Sequence, residues 1–284
     1  MNNVFYISSI GHSATAWLAT ALDMHPNITC YHGIRYSPED PQRKQVEGDV
    51  FLEQLAKKAN KNHFVGSVHG YSGNHIEQKI KDIGGQYATC LRNPIFRISS
   101  VYQHHYKKVM VAQNPQQIAD FEWMIKSFLA HNRLTVDVLM AAKLLRDTSV
   151  DGSPGIDGLS YTDLCFMWSV MYVAYNDFLT AQSENRVFRM EDYTQIPEAF
   201  ADLFALITKQ QIPLDAQYLY KVFNIGKLNS HRKEIATDVD EFKQWQPNHQ
   251  MIFKVMIPFI GPKILNAFYG SLGYNFVTTL IDPA

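Results

Sequence analysis

The chain has 284 residues, of which 46% are hydrophobic and 19% charged. A chain of this length buries roughly three quarters of its unfolded surface, so it needs neither disulfides nor a structural metal, and its mix of residues excludes disorder and coiled coil. Lys and Arg number 26 against 27 Asp and Glu, and this net charge of −1 argues against a broad nucleic-acid surface while leaving room for a local basic pocket around a small anion.

Three cysteines, Cys30, Cys90 and Cys165, are spaced too widely for a zinc pattern or a disulfide framework, which points to a reducing compartment. The first 22 residues carry no Asp, Glu, Lys or Arg. They lack a basic n-region, and Ser8-Ser9 and Gly11-His12-Ser13 interrupt the apolar run, so they do not read as a signal peptide. The uncharged stretch Leu164 to Asn176 is shorter than the roughly 20 residues a bilayer span needs. The chain reads as soluble and cytoplasmic, with no membrane span.

Val4-Phe5-Tyr6-Ile7 is a β-branched and aromatic run that predicts a buried strand. A small-residue turn over 8–13 follows. Ala14, Trp17, Leu18, Ala21 and Leu22 then repeat at helical spacing with one buried face, until His25-Pro26-Asn27 stops the helix. Residues 33–50 are polar and turn-rich and read as a surface loop. A helix is predicted over 51–61, a strand over 63–68 ending at His69-Gly70, a helix over 74–83 and a strand from Gln86 to Leu91. Asn93 suits an N-cap and Pro94 the first helical position, so a helix is predicted from 94 to about 109.

Helices are predicted across 116–146. The cluster Asp151-Gly152-Ser153-Pro154-Gly155-Ile156-Asp157-Gly158 breaks the pattern and reads as a loop. A long helix over 160–183, a strand over Arg186 to Met190, a helix from Pro197 to about 208 and a mainly helical remainder to Gly273 complete the chain. Strands alternating with helices predict an α/β fold with a central parallel sheet flanked by helices and a helix-rich C-terminal half. No repeat and no long linker divides it, so residues 1–284 read as a single domain.

Two segments carry chemistry. The first βα turn, Gly11-His12-Ser13-Ala14-Thr15-Ala16-Trp17, leads into a helix N-terminus, where free backbone N–H groups and the helix dipole favour an anion. It lacks the Lys-Ser/Thr pair of a Walker A loop, so it reads either as a site for a phosphate-like ligand without metal or as an ordinary tight turn. The second segment is Arg92-Asn93-Pro94-Ile95-Phe96-Arg97-Ile98-Ser99-Ser100. Arg92 ends a strand and Ser100 lies eight residues on, in the second helical turn. An arginine and a hydroxyl at such a place suit a phosphate clamp; the plainer alternative is an Arg neutralised by a surface carboxylate.

Together these segments resemble the sulfotransferases that use 3′-phosphoadenosine 5′-phosphosulfate, PAPS. The 5′-phosphosulfate loop of that family reads roughly basic-Ser-Gly-Thr-Thr-Trp, and here the stretch is His12-Ser13-Ala14-Thr15-Ala16-Trp17. Its 3′-phosphate site is an Arg and a Ser eight apart, matched by Arg92-Asn93-Pro94 with Ser100-Val101-Tyr102. Met190-Glu191-Asp192-Tyr193 with Ile196-Pro197 is similar to the family's late-strand Tyr-Glu-Asp-Leu…Pro. Gly226-Lys227 with His231-Arg232, and the trailing Leu272-Gly273-Tyr274, add fainter likenesses.

The resemblance implies a P-loop-like sulfotransferase fold with a helical, acceptor-side insertion over about 110–183. It implies that backbone N–H groups from Gly11 and Ser13 to Ala16, with the Thr15 hydroxyl, hold the 5′-phosphate. Arg92 and Ser100 would clamp the 3′-phosphate, and Lys227 and Arg232 would close over it. Trp17 would stack on adenine, or else serve as a core aromatic. His69, 23 residues before Arg92, would be the general base for the acceptor, its imidazole suited to neutral pH, or else a strand-end cap. His12 stands where the family places Lys or Arg against the bridging oxygen; Ala14 replaces the loop Gly, Ala16 the second Thr, and Met190 the late-strand Tyr.

PAPS is thus the implied co-substrate and PAP the product, with no metal, since the 11 histidines form no ligand spacing. The acceptor would be a small molecule, carbohydrate or lipid; Arg35, Phe121, Trp123 and Phe128 lie in segments suited to lining its pocket. The alternatives are a PAP- or PAPS-binding module without turnover, and a small-molecule kinase of related architecture.

Overall fold

The computed structural model describes residues 3–9, 13–33, 48–68, 74–107, 160–226 and 237–281. Five strands, β1 (Val4–Ser8), β2 (Ile28–His32), β3 (Phe64–Val68), β4 (Gln86–Leu91) and β5 (Val187–Arg189), form one sheet in the order β2-β3-β1-β4-β5. Every pairing is parallel. Parallel strands need crossover connections, and the helices α1 (Thr15–Asp23), α2 (Gly48–Lys58) and α3 (Asn74–Asp82) lie in those connections.

Both faces of the sheet are covered, which is why β1 is buried at every position rather than alternating. Phe5 and Ile7 face one layer with Trp17, Leu18 and Leu22 of α1, together with Phe200, Phe204 and Tyr218 of two later helices. Val4 and Tyr6 face the other, with Phe51 and Leu55 of α2 and Ile76 and Ile80 of α3. Gly66 sits in β3 because a Cβ there would meet the Phe5 ring at 2.4 Å.

The chain gathers into two compact units, Met1–Arg92 with Ser183–Arg232, and Asn93–Gln182 with Lys233–Ala284. The first holds the whole sheet, with the short helix α6 (Met190–Tyr193), α7 (Pro197–Ile207) and α8 (Ala216–Phe223). The second is helical among the described residues. Its α4 (Pro94–Tyr106) packs along α5 (Tyr161–Ala181), which also meets α10 (Pro247–Met256) and α11 (Pro262–Ser271); α9 (Asp238–Lys243) packs on α4. Gly261, at φ 54°, lies so close to Phe178 of α5 that a Cβ would meet its ring at 2.3 Å.

Helix starts lie where capping chemistry predicts them. Asn93 Oδ1 accepts from Ile95 N at 3.0 Å with Pro94 as the first helical residue, and Ser160 Oγ accepts from Asp163 N at 3.1 Å. The structure differs at β2. The sequence reading passes from the helix stop at 25–27 to a loop at 33, whereas Ile28–His32 pairs with β3 along its length. As an edge strand it alternates only weakly, with Ile28 and Cys30 buried between half-buried Thr29 and Tyr31. Helical structure also continues past Gly273, in α12 (Asn275–Ile281).

Candidate functional site at the carboxyl end of the sheet

In an open parallel sheet, ligands bind beyond the carboxyl ends of the strands, where neighbouring strands send their connections in opposite directions. Here that point lies between β1 and β4. The chain leaves β1 through α1 toward β2 on one side, and leaves β4 toward β5 on the other. Ser8 of β1 stands opposite Thr89 of β4, so Arg92, three residues further on, emerges beside the β1 turn. His32 ends β2 opposite Val68, and Arg189 ends β5 opposite Leu91.

The β1 turn enters α1 through Ala14, whose φ of 51° and ψ of 32° are left-handed. That is the conformation glycine adopts freely and an L-residue adopts at a cost. As N-cap, Ala14 has no side chain with which to cap the helix, so the amides of its first turn receive no side-chain acceptor from it. Ser13 is fully buried, and its carbonyl accepts from the Tyr193 hydroxyl of α6, which fastens the turn from below. Thr15 Oγ1 lies 3.1 Å from His32 Nε2. Ser9, just beyond β1, is buried with its hydroxyl lacking a hydrogen-bond partner among the described residues.

Trp17 is 7% exposed. Its ring stacks on Tyr193 at 6.2 Å and meets Phe200 and Phe223 at 6.0 and 6.1 Å. Of the two roles offered by the sequence, this packing is that of the core aromatic. Ala16 follows Thr15 in the first turn of α1 and brings no hydroxyl.

The second segment spans both units. Arg92 follows β4, half-buried, in the first. In the second, Ser100 lies on α4 and its Oγ donates to the Phe96 carbonyl at 2.9 Å. Asn93 also donates through Nδ2 to Asp238 Oδ2 at 2.7 Å, and Trp245 Nε1 donates to Ser99 Oγ at 2.6 Å; both contacts hold α4 at its polar face.

Gly11, His12, Arg35, His69, Phe121, Trp123, Phe128, Lys227 and Arg232 lie outside the described residues, as do the predicted helices over 116–146 and most of the proposed insertion before 160.

Sequence reasoning missed three features. His32 carries no motif; its signal is only that it ends a short apolar-polar run on the strand after α1. Tyr193 is legible as part of the Met190–Tyr193 segment, whereas its reach to the Ser13 carbonyl is a long-range contact with no sequence signal. The third is a polar cluster inside the helical unit. Arg97, Asp177 and Tyr269 are fully buried, and Asp177 Oδ2 accepts from Arg97 Nη2 and from the Tyr269 hydroxyl, the latter at 2.7 Å. Arg97 Nε and Nη1 and Asp177 Oδ1 have no hydrogen-bond partner among the described residues. Burial pushes the Asp177 carboxyl upward, against the pull of Arg97 and of the Tyr269 hydroxyl. Such a triad is visible only when three helices are brought together.

No family model, curated protein or solved structure matches the chain. What can be said of function therefore rests on these residues and their placement.

Proposed function

We propose that the protein is a sulfotransferase that moves a sulfuryl group from PAPS to a hydroxyl or amine of an acceptor. The observation that carries this reading is the adjacency of β1 and β4. It brings the two sequence segments that resemble a PAPS site, the 13–17 turn and Arg92, to one end of the sheet from neighbouring strands. An anion at the N-terminus of α1 would meet first-turn amides left uncapped by Ala14. Arg92 would recognise the 3′-phosphate through charge-assisted hydrogen bonds, and the resemblance pairs it in sequence with Ser100.

In the reaction, the acceptor oxygen or nitrogen attacks the sulfur of PAPS. The bond from sulfur to the bridging oxygen breaks, and that oxygen leaves with PAP. The acceptor proton passes to a base, which the sequence offers as His69, and by the resemblance His12 would carry the positive charge set against the bridging oxygen.

A second reading, a PAP-binding module without turnover, is favoured by one set of residues. The loop has Ala14 and Ala16 where the resembled family has Gly and Thr, and His12 where it has a permanent cation. Transfer of labelled sulfate from PAPS to a panel of phenol, sugar and lipid acceptors separates the two. The sulfotransferase reading expects transfer to at least one class, with His69→Ala lowering turnover by on the order of 10²–10⁴-fold while PAP affinity stays within a few-fold. Tight PAP binding with no transfer to any acceptor supports the binding module. A protein that ignores PAP and is stabilised by ADP with Mg²⁺ contradicts both and favours a kinase.

A further inference from the structure

The β1 turn has only one hydroxyl between residues 14 and 17, that of Thr15, and it is shared with a histidine the motifs do not include. We propose that His32 is a positioning residue of this site: its Nε2–H donates to Thr15 Oγ1 and turns the Thr15 hydroxyl proton toward the bound 5′-phosphate. The inference rests on the reading of this turn as the 5′-phosphate site.

The chemistry follows from the donor inventory. A threonine hydroxyl has one proton and two acceptor lone pairs, and a phosphate oxygen only accepts. If His32 Nε2 is unprotonated, it takes the Thr15 proton and leaves the hydroxyl with lone pairs facing an anion. If Nε2 carries the proton, Thr15 accepts from His32 and donates to the phosphate. A bound phosphate therefore selects the Nε2–H form, and His32 in that form raises the affinity for phosphate. The two act as one relay.

The backbone holds His32 in place to do this. It ends β2 in register with Val68 of β3. The buried Ser67 hydroxyl lies 3.2 Å from the Tyr31 carbonyl and 2.8 Å from the Gly33 carbonyl, one residue to either side of His32. Gly33 N donates to Val68 O at 3.0 Å immediately beyond. The His32 side chain itself is exposed and is not part of either apolar layer. The orientation of the Thr15 hydroxyl toward an anion requires a donor on its other side, which Nε2–H supplies.

The test is a double-substitution cycle read by calorimetric titration of PAP into the full-length protein. His32→Phe removes the donor and is expected to weaken PAP binding by about 5- to 10-fold, the scale of one ordinary hydrogen bond. His32→Gln keeps a side-chain N–H and is expected to bind within about 3-fold of wild type. In a Thr15→Val background, His32→Phe is expected to cost less than about 2-fold further, because the relay has already been cut. Thermal unfolding of each variant checks that the fold is retained, and His32→Gln provides the comparison if His32→Phe unfolds. Three results overturn the role of His32 while leaving the 5′-phosphate site standing: wild-type affinity in His32→Phe, a loss in His32→Gln as large as that in His32→Phe, or an undiminished effect of His32→Phe in the Thr15→Val background. A wild-type protein that does not bind PAP overturns the site itself, and the relay with it.

Discussion

Ala14 is where a single residue's backbone decides the shape of the candidate site. Its φ of 51° is left-handed at the entry to α1, and the lack of a capping side chain leaves the first-turn amides to other partners. An L-residue in this region costs about 1 kcal/mol or more, whereas glycine does not pay that steric penalty. Ala14→Gly is therefore expected to raise unfolding stability in urea by up to about 1 kcal/mol, and Ala14→Val to lower it by about 1–2 kcal/mol, because β-branching worsens the same clash. A neutral valine substitution would show that the turn relaxes elsewhere. The sequence identified this turn because small residues between an apolar run and a helical repeat mark a βα junction. It did not identify the conformation, since alanine carries no signal for a positive φ. Trp17 is a related case: the helical spacing put it on the buried face, and only the placement of Tyr193, Phe200 and Phe223 showed which of its two roles the packing takes up.

At the scale of elements, helix ends were the most legible features. Caps are local, and Asn93-Pro94, Ser160 and Pro197 each fix a start through a contact within two or three residues or through a preset φ. β2 was illegible for the opposite reason, because its existence depends on pairing with β3, which sequence periodicity does not report. The Arg97–Asp177–Tyr269 cluster joins α4, α5 and α11 by the same kind of long-range contact. Removing one partner strands a buried charge, so Arg97→Met or Asp177→Leu is expected to cost about 3–5 kcal/mol. The triple variant Arg97→Met/Asp177→Leu/Tyr269→Phe removes every polar member together and is expected to lie within about 2 kcal/mol of wild type. Chemical denaturation of the four proteins measures this. Additive losses across the triple variant would mean that the cluster contributes net stability rather than a polar requirement that its own members create.

For the whole molecule, pH is the broadest lever on stability, and one buried histidine gives it a direction. His249 of α10 is 3% exposed, stacks on Phe166 at 4.1 Å and meets Tyr102 edge-on at 4.8 Å, with Nε2 lacking a hydrogen-bond partner among the described residues. Burial pushes its imidazole down to about 4. The unfolded chain takes up the proton near pH 6.5 and the folded chain only near 4, so stability is lost as pH falls through that window. His25 is lowered in the same sense, chiefly by burial against the opposing charge of Asp215, while Asp177, raised by burial, acts in the other direction. Comparing wild type with His249→Phe isolates one contribution: between pH 6.5 and 4 the variant is expected to lose about 3 kcal/mol less than wild type. Parallel stability curves would mean that His249 is protonated without unfolding the helical unit.

The architecture of the first unit was the most legible large-scale feature, because alternating strand and helix periods imply a parallel sheet with helices on both faces. The division of the chain into two units was not, since no linker composition marks it. Among the described residues no helix is long and apolar enough to cross a membrane. We propose that the carboxyl ends of β1 and β4 hold a nucleotide carrying a 3′-phosphate. Calorimetric titration with PAP and with 5′-AMP, which lacks that group, tests it most directly in wild type and Arg92→Ala. Wild type is expected to bind PAP at least about tenfold tighter than 5′-AMP, and Arg92→Ala to lose about 1.5–3 kcal/mol of PAP binding while 5′-AMP binding hardly changes. Equal affinity of wild type for the two nucleotides, or PAP binding untouched by Arg92→Ala, would contradict it.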